Sequence, residues 1–244
     1  MPTDANSAPC ETPRFAVVLA AAGIGRRMGG FKKPYAELLG RPVLSWCIER
    51  LRQAAGCTEI VPVLHSDEYE AGDVAARLAD EFGIARVVCG GATRQESALA
   101  GIEAVSPDLD LVLIHDAARP LVSPRVVEAV AREAQTCGAA IAAVPVTETV
   151  KRVEGDRRIQ ATVPRETLWN ARTPQGFRRD LILRAHREAR EAGFLGTDDA
   201  QLVECLGVEV HVVEDRHDNI KITMLGDLVQ AEAALRWQTI NGGL

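Results

Sequence analysis

No apolar run in the 244-residue sequence approaches the ~18 residues a membrane span needs. The opening segment, MPTDANSAPCETPR, is polar and proline-rich and has no apolar h-region, so residues 1–13 read as a loose tail and not a signal peptide. The six cysteines (Cys10, Cys47, Cys57, Cys89, Cys137, Cys205) contain no C-x-x-C pair, and the five histidines show no H-x-x-x-H spacing. Reduced, mostly packed thiols in a cytoplasm are expected, and a zinc site is not. Aromatic residues are only 4% of the chain. Trp46, Trp169 and Trp237 are too dispersed for a base-stacking platform and read as core or interface. A basic excess is also missing: 28 basic against 34 acidic side chains leave a net charge of −6. Such a chain is a poor candidate for wrapping nucleic acid. Neither nucleic acid nor membrane is therefore an expected partner. What remains is globular composition, 47% hydrophobic and 25% charged, with length enough for a sizeable core.

Short β-branched runs alternate with helix-patterned stretches. Phe15–Ala21, Glu59–Leu64, Ala85–Cys89, Leu109–His115 and Ala139–Val144 are continuous and apolar, as parallel strands covered on both faces should be. Between them, Val43–Ala55, Glu68–Phe82, Arg94–Val105 and Pro124–Thr136 carry apolar residues at helical spacing. Pro42 and Pro124 sit at helix starts, where a missing N–H costs nothing. This rhythm predicts an α/β fold with a doubly wound, mostly parallel sheet. It breaks after Pro145. Thr149–Val163 alternates polar with apolar around Glu154-Gly155-Asp156, a hairpin signal. Its apolar members are too few for a core, so a protruding β-hairpin arm that docks on a second subunit is expected. Helices near Leu181–Glu191, Asp199–Cys205 and Gly226–Trp237 and a strand over Val208–Val213 follow. The chain thus reads as one domain over residues 14–240, with a dimerisation arm at about 147–172.

The chemistry concentrates in Leu19–Arg41, LAAAGIGRRMGGFKKPYAELLGR. A buried strand runs into Ala21, Ala22, Gly23 and Gly25, then Arg26, Arg27, Lys32 and Lys33. Ligands of open α/β sheets bind beyond the carboxyl ends of strands. Small residues let backbone N–H groups approach phosphate oxygens. From Gly23 to Arg41 there are five basic residues and one acidic, so the loop is +4 inside a −6 protein. A polyphosphate needs that local inversion. Met28 replaces the third glycine of the dinucleotide fingerprint, and the Walker pattern is absent. A solvated basic turn is the remaining alternative.

With its neighbours, this loop resembles a known family. Gly23-Ile24-Gly25-Arg26-Arg27-Met28 followed by Lys33 is similar to nucleotidyltransferases that join a nucleoside triphosphate to a phosphorylated sugar or polyol. Gly90-Gly91-Ala92-Thr93-Arg94-Gln95-Glu96-Ser97, His115-Asp116-Ala117-Ala118-Arg119-Pro120, Thr173-Pro174-Gln175 and Asp218-Asn219-Ile220-Lys221-Ile222-Thr223 follow in the order of one subfamily. That subfamily is the 2-C-methyl-D-erythritol 4-phosphate cytidylyltransferases of non-mevalonate isoprenoid synthesis, and the resemblance runs from about Phe15 to about Leu235. Pro34 stands where glutamine is usual and Ala20 where proline is common.

The resemblance implies a Rossmann-like nucleotidyltransferase enzyme. It would transfer a cytidylyl group from CTP to methylerythritol phosphate, with Mg²⁺ or another divalent cation, as a cytoplasmic homodimer. It implies that Arg27 and Lys33 stabilise the transition state, that Lys221 holds the incoming phosphate, and that Arg165 grips it from the partner's arm. Arg119, Thr149 and Thr173 would join the acceptor pocket. Ala21, Ala22, Gly23 and Gly25 would take the triphosphate, and Gly90, Gly91 and Ser97 the base. Asp116, at the carboxyl end of an apolar strand, would bind nucleotide and help organise Mg²⁺ or accept from a substrate hydroxyl. It could otherwise be a helix N-cap, although Pro120 and Ser123-Pro124 lie too far along for that. Lys221 and Arg165 alone could be surface charges. His115 reads as a packed histidine, and Asp198-Asp199 as a helix start.

A phosphate monoester is already a nucleophile at neutral pH, so such a reaction needs positioning and cations more than a general base. The lack of any Ser/His/Asp or Cys/His constellation agrees with this. Two other functions stay open on residues alone: a cytidylyltransferase acting on ribitol 5-phosphate, and a non-catalytic CTP sensor. A nicotinamide-dependent oxidoreductase fails on Met28 and the basic loop.

Overall fold

The computed structural model describes residues 13–23 and 33–240. Gly25 and Arg27, expected in the site, lie outside the described residues, as does the tail up to residue 12. The first strand, β1 (Phe15–Ala20), shows why its run is apolar throughout. Phe15, Val17 and Leu19 enter the core on one face of the sheet, while Ala16 and Val18 enter the core on the other. A strand buried on both faces has no polar side to show.

After β1 come a 3-10 turn (Lys33–Tyr35), the short pair β2 (Glu37–Leu38) and β3 (Arg41–Pro42), and helix α1 (Val43–Arg52). Next are β4 (Cys57–Leu64), α2 (Ser66–Ala71), α3 (Asp73–Phe82), β5 (Val88–Cys89), α4 (Arg94–Ala104) and β6 (Leu111–Asp116). The second half holds α5 (Pro124–Cys137), β7 (Ala139–Pro145), β8 (Val150–Val153), β9 (Ile159–Val163) and β10 (Trp169–Arg178). The chain closes with α6 (Arg179–Glu191), α7 (Asp199–Glu204), β11 (His211–Glu214) and α8 (Leu225–Ile240).

The main sheet has the order β11-β7-β10-β6-β1-β4-β5. Every pairing is parallel except those of β10, which runs antiparallel to both β6 and β7. The doubly wound, mostly parallel expectation holds. From β1 the chain moves outward through β4 and β5, then returns to place β6 on the other side of β1. The direction of winding reverses between β1 and β6, so a ligand crevice belongs at their carboxyl ends.

Several local expectations need correction. The stretch Glu68–Phe82 is not one helix: Gly72, at φ 77°, stops α2 and starts α3. Of Ala85–Cys89 only Val88 and Cys89 pair in the sheet. The last strand is His211–Glu214 and not Val208–Val213. β10 had no sequence signal. Trp169 and Trp237 are exposed, so neither is a core residue of this chain. Cys205 is exposed, although all five described cysteines are free thiols.

The arm is present. β8 and β9 pair antiparallel with each other and with no other strand among the described residues. A two-stranded ribbon is marginal alone in water. Val153 and Ile159 on it are 54% and 64% exposed. Among the described residues, no helix is long and apolar enough to cross a membrane.

Candidate active site

At the reversal point the two central strands end in register, with Ala20 opposite Asp116. The backbone there is tied down: Ala21 donates to the carbonyl of Val63 and Ala117 to that of Ala20. A pocket of about 210 Å³ opens beyond these ends. Ala21, Ala22, Gly23, Lys33, Ser97, Asp116 and Lys221 all line it, so seven of the expected residues meet in one place, while Arg119 and Thr173 do not line it. Arg94 lines it too, a residue of the Gly90–Ser97 block to which the sequence assigns no site role. An adjoining cavity of about 510 Å³ shares Ala22 and Gly23 and is bounded by Gly90, Gly91, His65 and Ser66. The last two were also missed, because nothing in their local sequence marks them.

The double glycine is a matter of space. A Cβ on Gly90 would stand 2.5 Å from Ala22 Cβ and 2.8 Å from Ser97 Oγ. Its loop therefore packs directly on the first loop. Ser97 holds the shape: its hydroxyl donates to the Thr93 carbonyl at 2.8 Å and accepts the Gly91 N–H at 3.1 Å. Thr93 and Glu96 form a capping box at the start of α4. This rigid start aims Arg94 into the pocket.

Asp116 is the electrostatic centre. Its Oδ2 is 2.7 Å from Lys221 Nζ and 3.5 Å from Arg119 Nε, and its Oδ1 is 3.7 Å from Arg94 Nε. Burial works against the carboxylate charge, but Lys221, Arg94 and Arg119 together outweigh it and hold the group well below the usual range. Arg94 is shared: its guanidinium also lies 2.8 Å from Asp199, which is 3.2 Å from His186 Nε2. Asp198 caps α7 through the Gln201 N–H, as a helix start should, but its neighbour Asp199 faces inward and anchors Arg94. Arg119 is buried and donates to the Asn219 carbonyl at 2.9 Å.

His115 is packed, as expected. Its Nε2 lies 3.2 Å from the Arg119 carbonyl, which can only accept, so Nε2 carries the proton. Nδ1 then accepts the Thr173 hydroxyl at 3.1 Å, and Thr173 Oγ1 accepts the Asp116 N–H at 3.1 Å. Burial pushes the His115 pKa down to about 4 against the pull of Asp116, so the ring is neutral at pH 7. Thr173 is thus buried, its hydroxyl fixing β6 against β10.

Lys33 begins the 3-10 turn, and its charge helps keep Asp227 ionised, after the hydrogen bonds Asp227 accepts from Thr223 and Met224. Thr149 and Arg165 do not line the pocket. Both are exposed at the base of the arm, where Arg165 donates to the Thr147 carbonyl.

The donor set can accommodate a divalent cation of the magnesium type. Such an ion takes one or two carboxylates, substrate phosphate oxygens and waters. Asp116 Oδ1 is the hard oxygen that fits, since its cationic neighbour Arg94 stands beyond hydrogen-bond reach at 3.7 Å.

The model of the family described as IspD, 2-C-methyl-D-erythritol 4-phosphate cytidylyltransferase, matches residues 15–237. A relative of that name from Halalkalibacterium halodurans is 43% identical over 225 residues, covering 91% of this chain and 96% of its own. The crystal structure of 2-C-methyl-D-erythritol 4-phosphate cytidylyltransferase from Thermus thermophilus is 38% identical with a TM-score of 0.74, over 90% of this chain and 98% of that one. A 4-diphosphocytidyl-2C-methyl-D-erythritol synthase from Anaerococcus prevotii is 30% identical with a TM-score of 0.82, over 92% of this chain and 97% of its own. With the pocket at the reversal point and its cations around Asp116, the match over nearly the whole chain leads to one conclusion: this protein belongs to the 2-C-methyl-D-erythritol 4-phosphate cytidylyltransferase family.

Proposed function

We propose that the chain transfers the cytidylyl group of CTP to 2-C-methyl-D-erythritol 4-phosphate, releasing pyrophosphate and forming 4-diphosphocytidyl-2-C-methyl-D-erythritol. The observation that carries this reading is the ring of Lys221, Arg119 and Arg94 around Asp116, beside a pocket lined by the small residues Ala21, Ala22 and Gly23. An oxygen of the acceptor phosphate forms a bond to the α-phosphorus of CTP. The bond from that phosphorus to the bridging oxygen breaks, and pyrophosphate leaves with the electron pair.

Two anions must first be brought together, and charge then grows on the leaving group. Fixed cations answer both demands. Arg27 and Lys33 act on the triphosphate side. Lys221 holds the attacking phosphate, with Arg119 behind it. Backbone groups of Ala21, Ala22, Gly23 and Gly25 take the phosphate oxygens, and Gly90, Gly91 and Ser97 bound the cavity for the base. Asp116 would hold Mg²⁺, whose charge would offset that of the triphosphate. Thr173 positions Asp116 through its backbone.

The arm makes the active form a homodimer. Its exposed Val153 and Ile159 call for cover, and Arg165 and Thr149 at its base would reach the pocket of the opposite copy. A cytoplasmic location accompanies this reading.

The test is product identification by mass spectrometry with CTP, Mg²⁺ and either methylerythritol phosphate or ribitol 5-phosphate. Diphosphocytidyl-methylerythritol is expected from the first and no product from the second; the reverse pattern overturns the assignment. Arg27→Ala and Lys33→Ala should each lower turnover by about 10²–10³-fold, the range for losing one preorganised donor.

A further inference from the structure

A second cluster of ligating side chains lies at the opposite end of the sheet. Helix α5 runs back toward the amino ends of the parallel strands, and its last turns carry Glu133 and Cys137 four residues apart, on one face. His211 opens the edge strand β11 and pairs in register with Ala140, near the start of β7. Those two facts bring together residues far apart in the chain. Glu133 Oε1 stands 2.7 Å from His211 Nδ1 and 3.3 Å from Cys137 Sγ. Carboxylate oxygen, thiol sulfur and imidazole nitrogen all lie within 4.8 Å of one another.

We infer that Glu133, Cys137 and His211 form a binding site for a single zinc-class divalent ion. The chemistry of the donors selects the metal. Thiolate and imidazole favour zinc and its neighbours, whereas magnesium asks for oxygen. Tetrahedral zinc with Zn–S of about 2.3 Å and Zn–N and Zn–O of about 2.0 Å puts its ligand atoms about 3.3–3.6 Å apart. Glu133 Oε1 already stands 2.7 Å from the nitrogen and 3.3 Å from the sulfur, at or just inside that spacing, and rotation of the partly exposed side chains supplies the remaining adjustment. His211 and Glu133 are 43% and 40% exposed, so water can occupy the fourth position. A simple surface ion pair accounts for His211 and Glu133 alone. The helical spacing brings the Cys137 thiol to the same carboxylate oxygen, so three donors of different type converge on one point. On binding, the metal displaces the thiol proton, which passes to solvent, and His211 ligates as a neutral imidazole with its proton on the ring nitrogen that does not bind; nothing is oxidised or reduced. The absence of ligand spacing in the sequence is no obstacle, because the third ligand comes from the sheet edge.

The test uses the full chain, stripped with chelator and titrated with Co²⁺ as a spectroscopic probe. One equivalent should bind with the strong visible absorption of a tetrahedral site and a thiolate-to-cobalt charge-transfer band, and Zn²⁺ should bleach both. Cys137→Ser should lose the charge-transfer band, and His211→Gln should weaken binding at least about tenfold. Both variants should melt with the wild type and turn over CTP normally, since the active pocket lies at the other end of the sheet. No charge-transfer band in the wild type overturns the inference. So does a band that persists in Cys137→Ser, which would assign the metal to another cysteine.

Discussion

Asp116→Asn preserves the shape of the side chain and removes its charge, which makes it the sharpest probe of the pocket. In the wild type the carboxylate faces Lys221 at 2.7 Å, Arg119 at 3.5 Å and Arg94 at 3.7 Å. Among the described residues, only Arg94 of these three has another carboxylate within ion-pair distance, Asp199 at 2.8 Å. The variant therefore leaves Lys221 and Arg119 repelling each other across a neutral amide. Removing one member of a buried pair costs about 3–5 kcal/mol. The Lys221 side chain is 40% exposed, so solvent takes over part of its charge and the lower end, about 3 kcal/mol, applies. At about 2–4 °C per kcal/mol for a chain this size, the melting temperature should fall by about 6–12 °C. An added anion can supply the missing charge. Pyrophosphate at a hundred times its Kd restores about 2.7 kcal/mol, and it need not compete with Asp116 for the cations. Calorimetry without divalent ions should show the variant melting low, then gaining more from pyrophosphate than the wild type does. Turnover, measured by pyrophosphate release, should drop at least about 10²-fold. An unchanged melting temperature without ligand, or equal protection of both proteins by pyrophosphate, refutes the claim that Asp116 holds these cations apart.

Other perturbations test separate parts of the argument. His115, depressed to about 4, takes up its proton in the unfolded chain first. Stability should therefore be intact above about pH 6.5 and fall by about 3 kcal/mol as pH drops to about 4; urea unfolding of His115→Gln should show a flatter profile across that window. Gly90→Ala drives a Cβ to 2.5 Å from Ala22 Cβ. It should cost about 1–3 kcal/mol and raise the KM for CTP more than it lowers kcat, a split that steady-state kinetics can read. Val153→Asp with Ile159→Asp changes two exposed positions, so the melting of the main sheet should barely move. Sizing chromatography should nevertheless give monomers without activity; an active monomer would remove the arm from the mechanism.

The parts of the fold that could be read from sequence are those whose own side chains decide their conformation. β1, β6 and β7 are apolar on both faces because both faces are covered, and each was visible as an uninterrupted run. β10 is different. Its WNARTPQGFR has neither alternation nor a continuous apolar run, and its pairing is imposed by β6 and β7 on either side. Gln175 explains why a polar residue belongs at its centre. The side-chain carbonyl accepts the N–H groups of Asp199 and Ala200 at 3.2 and 3.1 Å, satisfying donors at the start of α7 that would otherwise be buried unpaired. Such a requirement exists only once the helix has been packed against the strand.

The site divides along the same line. The charge inversion of the first loop is local, and it pointed to a polyphosphate without any tertiary knowledge. Arg94 was read as a helix start because its partners are remote: Asp116 ends another strand, and Asp199 opens another helix. Together they answer a question that composition leaves standing, namely how an acidic protein keeps a cationic pocket in order. The described pocket cations have carboxylates beside them. Lys221 has Asp116, Arg94 has Asp199, and Lys33 acts on Asp227. Free cations would repel one another and turn toward water, and each would have to be gathered in again when the triphosphate arrived. Held by buried or hydrogen-bonded acids, they meet the incoming phosphates already oriented, so the reorganisation is completed during folding and not during the reaction. The acidic residues around the pocket are in this sense part of what makes it receptive to anions.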